Sequence, residues 1–261
     1  MSSANFTPRS VLITGASSGI GAALARHYAA PGITLCLTGR DPARLAAVAE
    51  ACATAGASVF TAVLDVTDRN AMRTCISSWD QHHPFDVVIA NAGISAGSGL
   101  GGESEEQVRD ITAVNVAGVL NTLGPVQDAM SARRSGRLVL IASLAGYRGL
   151  PGAPAYCASK AWVRVYGEGL RGTLAPTGVG VVVVCPGFVE SRITARNPFR
   201  MPLLMSADAA ARRIATGIAR NCARVSFPWP MALAAWVMMI LPPWITDRWL
   251  HLLPSKPSQP M

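Results

Sequence analysis

Tyr156 and Lys160 stand four residues apart in the stretch Ala155-Tyr156-Cys157-Ala158-Ser159-Lys160. Residues 155–174 read as helix, so one face carries both the phenol and the ammonium. A phenol ordinarily titrates near pH ~10. A cation beside it favours phenolate and lowers that value, so the same group can give or take a proton near neutrality. Of the 23 basic residues only Lys160 and Lys256 are lysine. A chain that otherwise uses Arg has a compact point charge here in place of a planar fork. Taken alone, Tyr-x-x-x-Lys fits a solvated helix face equally well.

The elements that must position this pair run through the whole chain. Residues 10–14 form an apolar strand that ends in Gly15-Ala16-Ser17-Ser18-Gly19-Ile20-Gly21, followed by a helical pattern through residue 30. Strand, glycine turn and helix suit a phosphate cradle: the backbone can approach closely, and the helix N-terminus offers N–H groups and positive potential. A second strand, residues 33–38, leads to Gly39-Arg40, and Asp41-Pro42 then opens a helix as N-cap and first residue. An acidic residue at the end of that strand suits a ribose 2′-OH, and an arginine suits a 2′-phosphate. Arg40 therefore favours NADP(H) over NAD(H); a solvated surface arginine is the competing reading. Further strands at 58–64, 85–90, 137–142 and 180–184 end at Asp65-Val66, Asn91-Ala92-Gly93, Ser143 and Cys185-Pro186-Gly187. A long helix over residues 104–130 contains Asn115, and the glycine-rich segment 94–102 is expected to be mobile. Gly15, Asp65, Asn91, Ser143 and Pro186 thus gather at the C-terminal ends of parallel strands, where open α/β sheets bind ligands.

Composition bounds the alternatives. A chain of 261 residues, 50% hydrophobic, fits one large α/β domain with a full core. The net charge of +8 is uneven: residues 1–188 hold 14 basic and 12 acidic side chains, residues 189–261 hold 9 and 3. The excess sits in the C-terminal quarter and accompanies no aromatic-and-basic module, which argues against nucleic acid. The six cysteines show no metal-ligand spacing, and Cys36 and Cys185 lie in apolar runs as core residues do. Residues 1–9 are polar, with no apolar signal-like run, so the expected compartment is the cytoplasm.

The chain resembles the short-chain dehydrogenase/reductase family. The matching residues are Thr14-Gly15-x-x-x-Gly19-x-Gly21, Asp65, Asn91-Ala92-Gly93, Asn115, Ser143, Tyr156-x-x-x-Lys160 and Pro186-Gly187, over residues 11–187. The resemblance implies an α/β fold, a Rossmann-type doubly wound, seven-stranded parallel sheet in three layers. It also implies that Tyr156 is the general acid/base, that Ser143 polarises the substrate oxygen, and that Asn115 anchors a water in the proton path. Lys160 would hold the nicotinamide ribose and depress the Tyr156 pKa. Gly15, Ser17, Ser18, Gly19, Ile20 and Gly21, with Arg40, Asp65, Val66, Asn91, Ala92, Gly93, Tyr156, Lys160, Pro186, Gly187, Val189 and Ser191, would hold the dinucleotide. Homo-oligomers are common among relatives. Two departures are small: Ala90 precedes Asn91 where many members have a second Asn, and Ser191 stands where a Thr often follows Pro-Gly. The reaction implied is hydride transfer between NADP(H) and a carbonyl or alcohol, coupled to proton transfer at Tyr156 and needing no metal. A cofactor-binding sensor without turnover is the alternative, disfavoured by the intact Ser143, Tyr156, Lys160 and Asn115.

Beyond Gly187 the residues are less directive. The segment 188–205, with Phe199, Met201, Leu203, Leu204 and Met205, suits either an apolar lid over the substrate or ordinary core packing. Ser206 caps a helix expected to reach residue 221. The catalytic domain is expected to span 1–227, with 228–261 an apolar extension. Residues 231–241 are apolar on every side, so that helix should be buried in something. Trp229, Trp236, Trp244 and Trp249 accompany it, and Ile245, Trp249, Leu252 and Leu253 repeat at helical spacing. A membrane interface, a cover for the substrate pocket and a subunit contact all fit this composition. A membrane site would suit a lipophilic substrate. Residues 256–261 read as a frayed polar end.

Overall fold

The computed structural model describes residues 6–95, 102–195 and 200–250. Most of the segment expected to be mobile, Phe199, the side chain of Trp249, Leu252, Leu253 and the polar end lie outside the described residues. Seven strands make one sheet, β1 (Ser10–Thr14), β2 (Thr34–Gly39), β3 (Ser58–Val63), β4 (Val87–Ala90), β5 (Arg137–Ile141), β6 (Gly180–Pro186) and β7 (Arg224–Phe227). Their order is β3-β2-β1-β4-β5-β6-β7, and every pair is parallel. The order reverses between β1 and β4, which opens a crevice at the C-terminal edge.

Parallel strands need crossovers, and the helices that supply them cover both faces. On one face lie α1 (Gly19–Tyr28), α2 (Pro42–Thr54) and α8 (Ala207–Ala219). On the other lie α3 (Arg69–His82), α5 (Gly118–Arg133) and α6 (Pro154–Leu174). The remaining helices are α4 (Glu105–Thr112), the short α7 (Arg192–Ala195), α9 (Trp229–Ile240) and α10 (Pro243–Leu250). The valine run in β6 shows why the sheet forms the middle layer. Val182 and Val184 enter the α1/α2/α8 core, Val181, Val183 and Cys185 enter the α3/α5/α6 core, and all five are fully buried. Each valine so buried stabilises the fold by about 1.5 kcal/mol or more.

The expected six strands are present, and β7 supplies the seventh that the resemblance implies. Sequence pattern alone points to neither α3 nor β7. Only Met72, Ile76 and Asp80 of α3 are buried, a stripe too thin to stand out, and β7 is a four-residue edge strand that merges with the uncharged run after it. The long helix expected over 104–130 is present as a continuous helical run from Glu105 to Arg133, with a π turn inside it that divides α4 from α5. Ser104 caps α4 in a reciprocal box with Gln107, a π turn follows at Ala113–Ala117, and α5 continues to Arg133. Pro42 and Ser206 open their helices as expected, capped by Asp41 and by Ser206 itself. Cys36, Cys52, Cys157 and Cys185 are buried cysteines outside any disulfide. Contrary to the expectation for residues 231–241, no residue of α9 is fully buried: one side packs and the other faces out.

Asp80 ties the layers together away from the crevice. Its carboxylate, 7% exposed, receives two bonds from Arg133 of α5, at 2.8 and 3.1 Å, and one from the Phe85 N–H at 2.9 Å, just before β4. Removing one partner of such a pair leaves the other uncompensated. Arg133 is 31% exposed, so water recovers part of that cost. Asp80→Ala is expected to lower stability by about 2 kcal/mol, read from the shift in urea midpoint at unchanged slope.

Candidate active site

The crevice at the C-terminal edge has a volume of about 350 Å3. It is lined by the ends of β1, β2, β4, β5 and β6, by Leu64, Asp65 and Val66 after β3, and by Tyr156 and Lys160 in the first two turns of α6. Every residue that the resemblance assigns to catalysis or to the dinucleotide lines it except Gly21 and Asn115, which stand immediately behind it; of the candidate lid residues, Met201, Leu203, Leu204 and Met205 do not line it.

The glycine turn is built for close approach. Gly15 has φ +65°, and a Cβ there would lie 2.8 Å from the Ala92 Cα. A Cβ on Gly21 would lie 2.4 Å from the Gly15 carbonyl oxygen. The turn is locked to the end of β4 by Asn91, whose Nδ2 donates to the carbonyls of Thr14 (2.9 Å) and Gly15 (3.2 Å). The Thr14 hydroxyl in turn accepts from the backbone N–H of Asn91 and Ala92. The two strands that flank the switch point are therefore cross-bonded where a ligand would lie. Ser18 forms no side-chain bond to its own helix, so the first N–H groups of α1 remain open towards the crevice.

At the far end Arg40 pairs with Asp65 at 3.4 Å across the tips of β2 and β3. Burial pushes the Asp65 carboxyl up, but the N–H and hydroxyl of Thr67 and the Arg40 guanidinium outweigh it and hold the group below its ordinary value. Arg44, from the first turn of α2, also lines the crevice and pairs with Asp41 at 2.9 Å. Its Nε is buried without a partner.

At the other end Ser143, Tyr156 and Lys160 converge. The Ser143 hydroxyl donates to the Pro186 carbonyl at 3.4 Å, accepts from the Ala145 N–H, and lies near enough to the Tyr156 phenol to favour its ionised form. The Lys160 ammonium is 5% exposed and donates to the Ile141 carbonyl at the end of β5 (2.9 Å). Asn115 is fully buried in the π turn. Its Nδ2 donates to the Ile94 carbonyl and the Ser159 hydroxyl, both at 3.0 Å, and its Oδ1 accepts from the Ile94 N–H at 2.8 Å. A Cβ on Gly93 would lie 3.2 Å from both Asn115 Oδ1 and Lys160 Nζ, so these groups flank one glycine.

The expected electrostatics need correcting. The sequence reading has Lys160 depressing the Tyr156 pKa; here burial dominates and pushes the phenol up to about 12, against a lowering by the nearby Ser143 hydroxyl. The ammonium lies 5.9 Å from the centre of the phenol ring and is directed at Ile141. Burial also brings the Lys160 ammonium down to about 8.

Several residues escaped sequence reasoning. Glu103 reaches the N-terminus of α6, where its carboxylate accepts from the N–H groups of Ala155 (2.5 Å) and Tyr156 (3.3 Å). Ala153 at that N-cap has no side chain able to do so, and this missing cap was the available signal. The Ser159 hydroxyl donates to the Tyr156 carbonyl and accepts from Asn115, linking α6 to the π turn. Thr194 bonds reciprocally with Ser191 at the β6 end of the crevice. Arg44 could have been found from its place one helical turn after Arg40.

Against known proteins, the family model for short chain dehydrogenases matches residues 9–199. The chain belongs to the short-chain dehydrogenase/reductase family. An uncharacterised oxidoreductase of Myxococcus xanthus (strain DK1622) is 40% identical over 240 residues, which is 92% of this chain and 95% of that protein. An uncharacterised oxidoreductase of Mycobacterium tuberculosis (strain ATCC 25618 / H37Rv) is 36% identical over 247 residues, 93% of this chain and 97% of that one. Among solved structures, a short-chain dehydrogenase from Sphingobium yanoikuyae in complex with NADPH superposes with TM-score 0.75 at 26% identity, covering 89% of this chain and 96% of that chain. One from Mycobacterium paratuberculosis bound to NAD gives 0.77 at 22% identity, covering 86% and 98%, and shows the shared fold alone. This member of the family is accordingly an NAD(P)-dependent oxidoreductase.

The Lys160 shift has a consequence for stability. Its pKa is about 8 in the fold against 10.5 for the free side chain. Between those values the unfolded chain binds more protons, so the contribution of Lys160 to stability rises with pH. A Lys160→Met variant loses that rise, and groups common to both proteins cancel in the difference. The stability of the wild type relative to the variant is expected to climb from pH 8 to pH 10. Urea titrations of both proteins across that range measure it, and a flat difference would place the ammonium in water.

Proposed function

We propose that this reductase/dehydrogenase couples NADP(H) to the interconversion of a carbonyl and an alcohol on an apolar substrate, with Tyr156 as general acid/base. The observation that carries the reading is the convergence of the Ser143 hydroxyl and the Tyr156 phenol on one end of the crevice, with the buried Lys160 ammonium one helical turn along. The residues present fit a dinucleotide: the cradle at Gly15 and Gly21 has no room for a Cβ, and the first turn of α1 offers open N–H groups. When bound, such a cofactor supplies or accepts the hydride.

The remaining chemistry belongs to the chain. Tyr156 and Ser143 present two hydroxyls to one substrate oxygen, a donor pair for the charge that develops there. The phenol, neutral up to about 12, is the form that protonates that oxygen during carbonyl reduction. Lys160 is held by Ile141 beside Gly93 and Asn115, in position to grip a ribose and to replenish the phenol proton through the Asn115 side. Asn115, fixed by Ile94 and Ser159, holds that route in place. Ile94, Val114 and Val189 line the same end, which suits an apolar substrate.

Preference for the 2′-phosphate form rests on Arg40 and Arg44. Arg40 is largely exposed even while paired, and Arg44 has a buried donor unmatched. A sensor without turnover would need the arginines and the cradle, but it has no use for a proton donor beside Ser143.

The test is reduction of lipophilic ketones with NADPH, followed by loss of the nicotinamide absorbance. Tyr156→Phe is expected to lower turnover by about 10³-fold while leaving NADPH affinity unchanged, as read by cofactor fluorescence. Near-normal turnover would take the phenol out of the proton path. Arg40→Asp combined with Arg44→Ser is expected to lower the ratio of kcat/KM for NADPH over NADH by about tenfold or more. An unchanged ratio would move the 2′-phosphate elsewhere.

A further inference from the structure

The backbone of Tyr156 is held by side chains at both of its polar groups. Its carbonyl accepts from the Ser159 hydroxyl at 2.8 Å, and Ser159 is itself bonded to Asn115. Its N–H donates to Glu103, 53 positions earlier in the chain, at 3.3 Å. The first turn of α6 needs an acceptor from outside. Pro154 has no N–H, and the Cys157 N–H already donates to the Ala153 carbonyl at 3.0 Å. The orphan donors are therefore Ala155 and Tyr156. One carboxylate takes both: Glu103 Oε2 accepts from Ala155 at 2.5 Å, and Oε1 from Tyr156.

A Ser or Asp at position 153 would satisfy the same two donors locally. Drawing the acceptor from another element does what a local cap cannot, because it fixes α6 relative to that element. Glu103 is itself well anchored. It directly precedes Ser104, whose N–H donates to Gln107 Oε1 at 3.0 Å and whose hydroxyl accepts from the Gln107 N–H at 3.2 Å. Helix α4, opened by that cap, runs into the π turn that carries Asn115. The same helical run thus grips α6 twice, at the first turn through Glu103 and at the second through Asn115 and Ser159. Tyr156 lies between the two grips.

We propose that Glu103 is a positioning residue for Tyr156: it ties the first turn of α6 to the start of α4 and so sets the phenol beside Ser143. The phenol oxygen stands at the far end of a long side chain, so a small tilt of that turn is amplified at the reacting atom. A misplacement on the order of 1 Å suffices to cost about 10²-fold in rate. Lys160 lies beyond the second grip and is held separately by the Ile141 carbonyl. Loss of the Glu103 bonds therefore displaces the phenol and leaves the ammonium in place. Glu103 does not line the crevice, so it acts through Tyr156 and not on a ligand. The proposal rests on the reading of Tyr156 as the general acid/base.

The experiment is steady-state reduction of 2-decanone and acetophenone with NADPH by a set of variants. Glu103→Ala is expected to lower kcat by about tenfold to 10²-fold, with NADPH affinity unchanged by cofactor fluorescence. A kcat within about twofold of wild type overturns the proposal. Glu103→Gln keeps one acceptor oxygen and is expected to fall between the two, which keeps the test open should the alanine variant not fold. Adding Ala153→Asp to Glu103→Ala supplies a local cap without the tether. It is expected to restore the melting temperature but not kcat; recovery of both would reduce Glu103 to a helix cap and overturn its positioning role. In a Tyr156→Phe background, Glu103→Ala is expected to cost less than about twofold more, because both changes act on one group. An equal loss in both backgrounds overturns the proposal. Near-normal turnover by Tyr156→Phe alone, or no reduction of either ketone by wild type, counts against the reading of the reaction instead. Amide hydrogen exchange needs no substrate and decides the contact in that event: Glu103→Ala is expected to speed exchange at Ala155 and Tyr156, and an unchanged rate overturns the proposal.

Discussion

The contact between the Lys160 ammonium and the Ile141 carbonyl is the constraint on which the site depends. Burying an ammonium among strands β5 and β6 costs several kcal/mol unless a good acceptor compensates. The carbonyl at the end of β5 is that acceptor. Ile141 is two residues before Ser143, so the contact registers α6 against the strand that delivers the serine. Tyr156 sits one turn earlier on α6, and the register brings its hydroxyl to Ser143. Loss of this single bond would free both the cation and the phenol from the geometry their chemistry requires.

Other segments fix the remaining freedoms of α6. Glu103 satisfies its first N–H groups from outside, and a carboxylate there also complements the positive end of the helix dipole. Ser159 and Asn115 bind its second turn to the π turn between α4 and α5. Close packing completes the seat: a Cβ on Gly146 would fall 2.7 Å from the Lys160 backbone, so the loop after β5 lies directly on the helix. The helix is held by β5, by the loop after it, and by the segment leading from β4. These are the same pieces that line the reactive end of the crevice, so fold and site are stabilised by shared contacts.

What was legible in the sequence follows from how local each signal is. The strand ends, Gly15 to Gly21, Asn91, Ser143 and Tyr156 to Lys160 were readable because apolar runs and special residues lie within a few positions of one another. The partners of these residues were not, because Glu103 and Ser159 act on neighbours brought together by folding across 52 and 44 positions. The π turn at Asn115 was invisible for a related reason: its hydrophobic spacing matches an ordinary helix closely. The electrostatic expectation for Tyr156 failed because sequence spacing fixes which groups share a helix face, while burial depends on everything packed around that face. Lys160 points past the phenol to β5, and burial sets the direction of the phenol shift.

The last helices follow a different logic from the rest of the chain. In the sheet and its flanking helices the apolar stripes find partners: in β6 both faces are covered, and the inward side of α8 is buried against α1 and the sheet. In α9 Met231, Ala232, Ala235 and Met239 already satisfy the packing need, with small and flexible side chains. The outward tryptophans add nothing to that packing, and water would be served as well by Lys or Glu. Retaining Trp229, Trp236 and Trp244 outside costs solubility and returns no stability to the isolated chain. Arg148 reaches across from the loop after β5 to hold Thr246 (2.6 Å) and Asp247 (3.2 Å), so α10 is fastened to the body near the reactive end. The open apolar face is thus carried on helices fastened to the body of the fold, and this is what separates it from a loose tail.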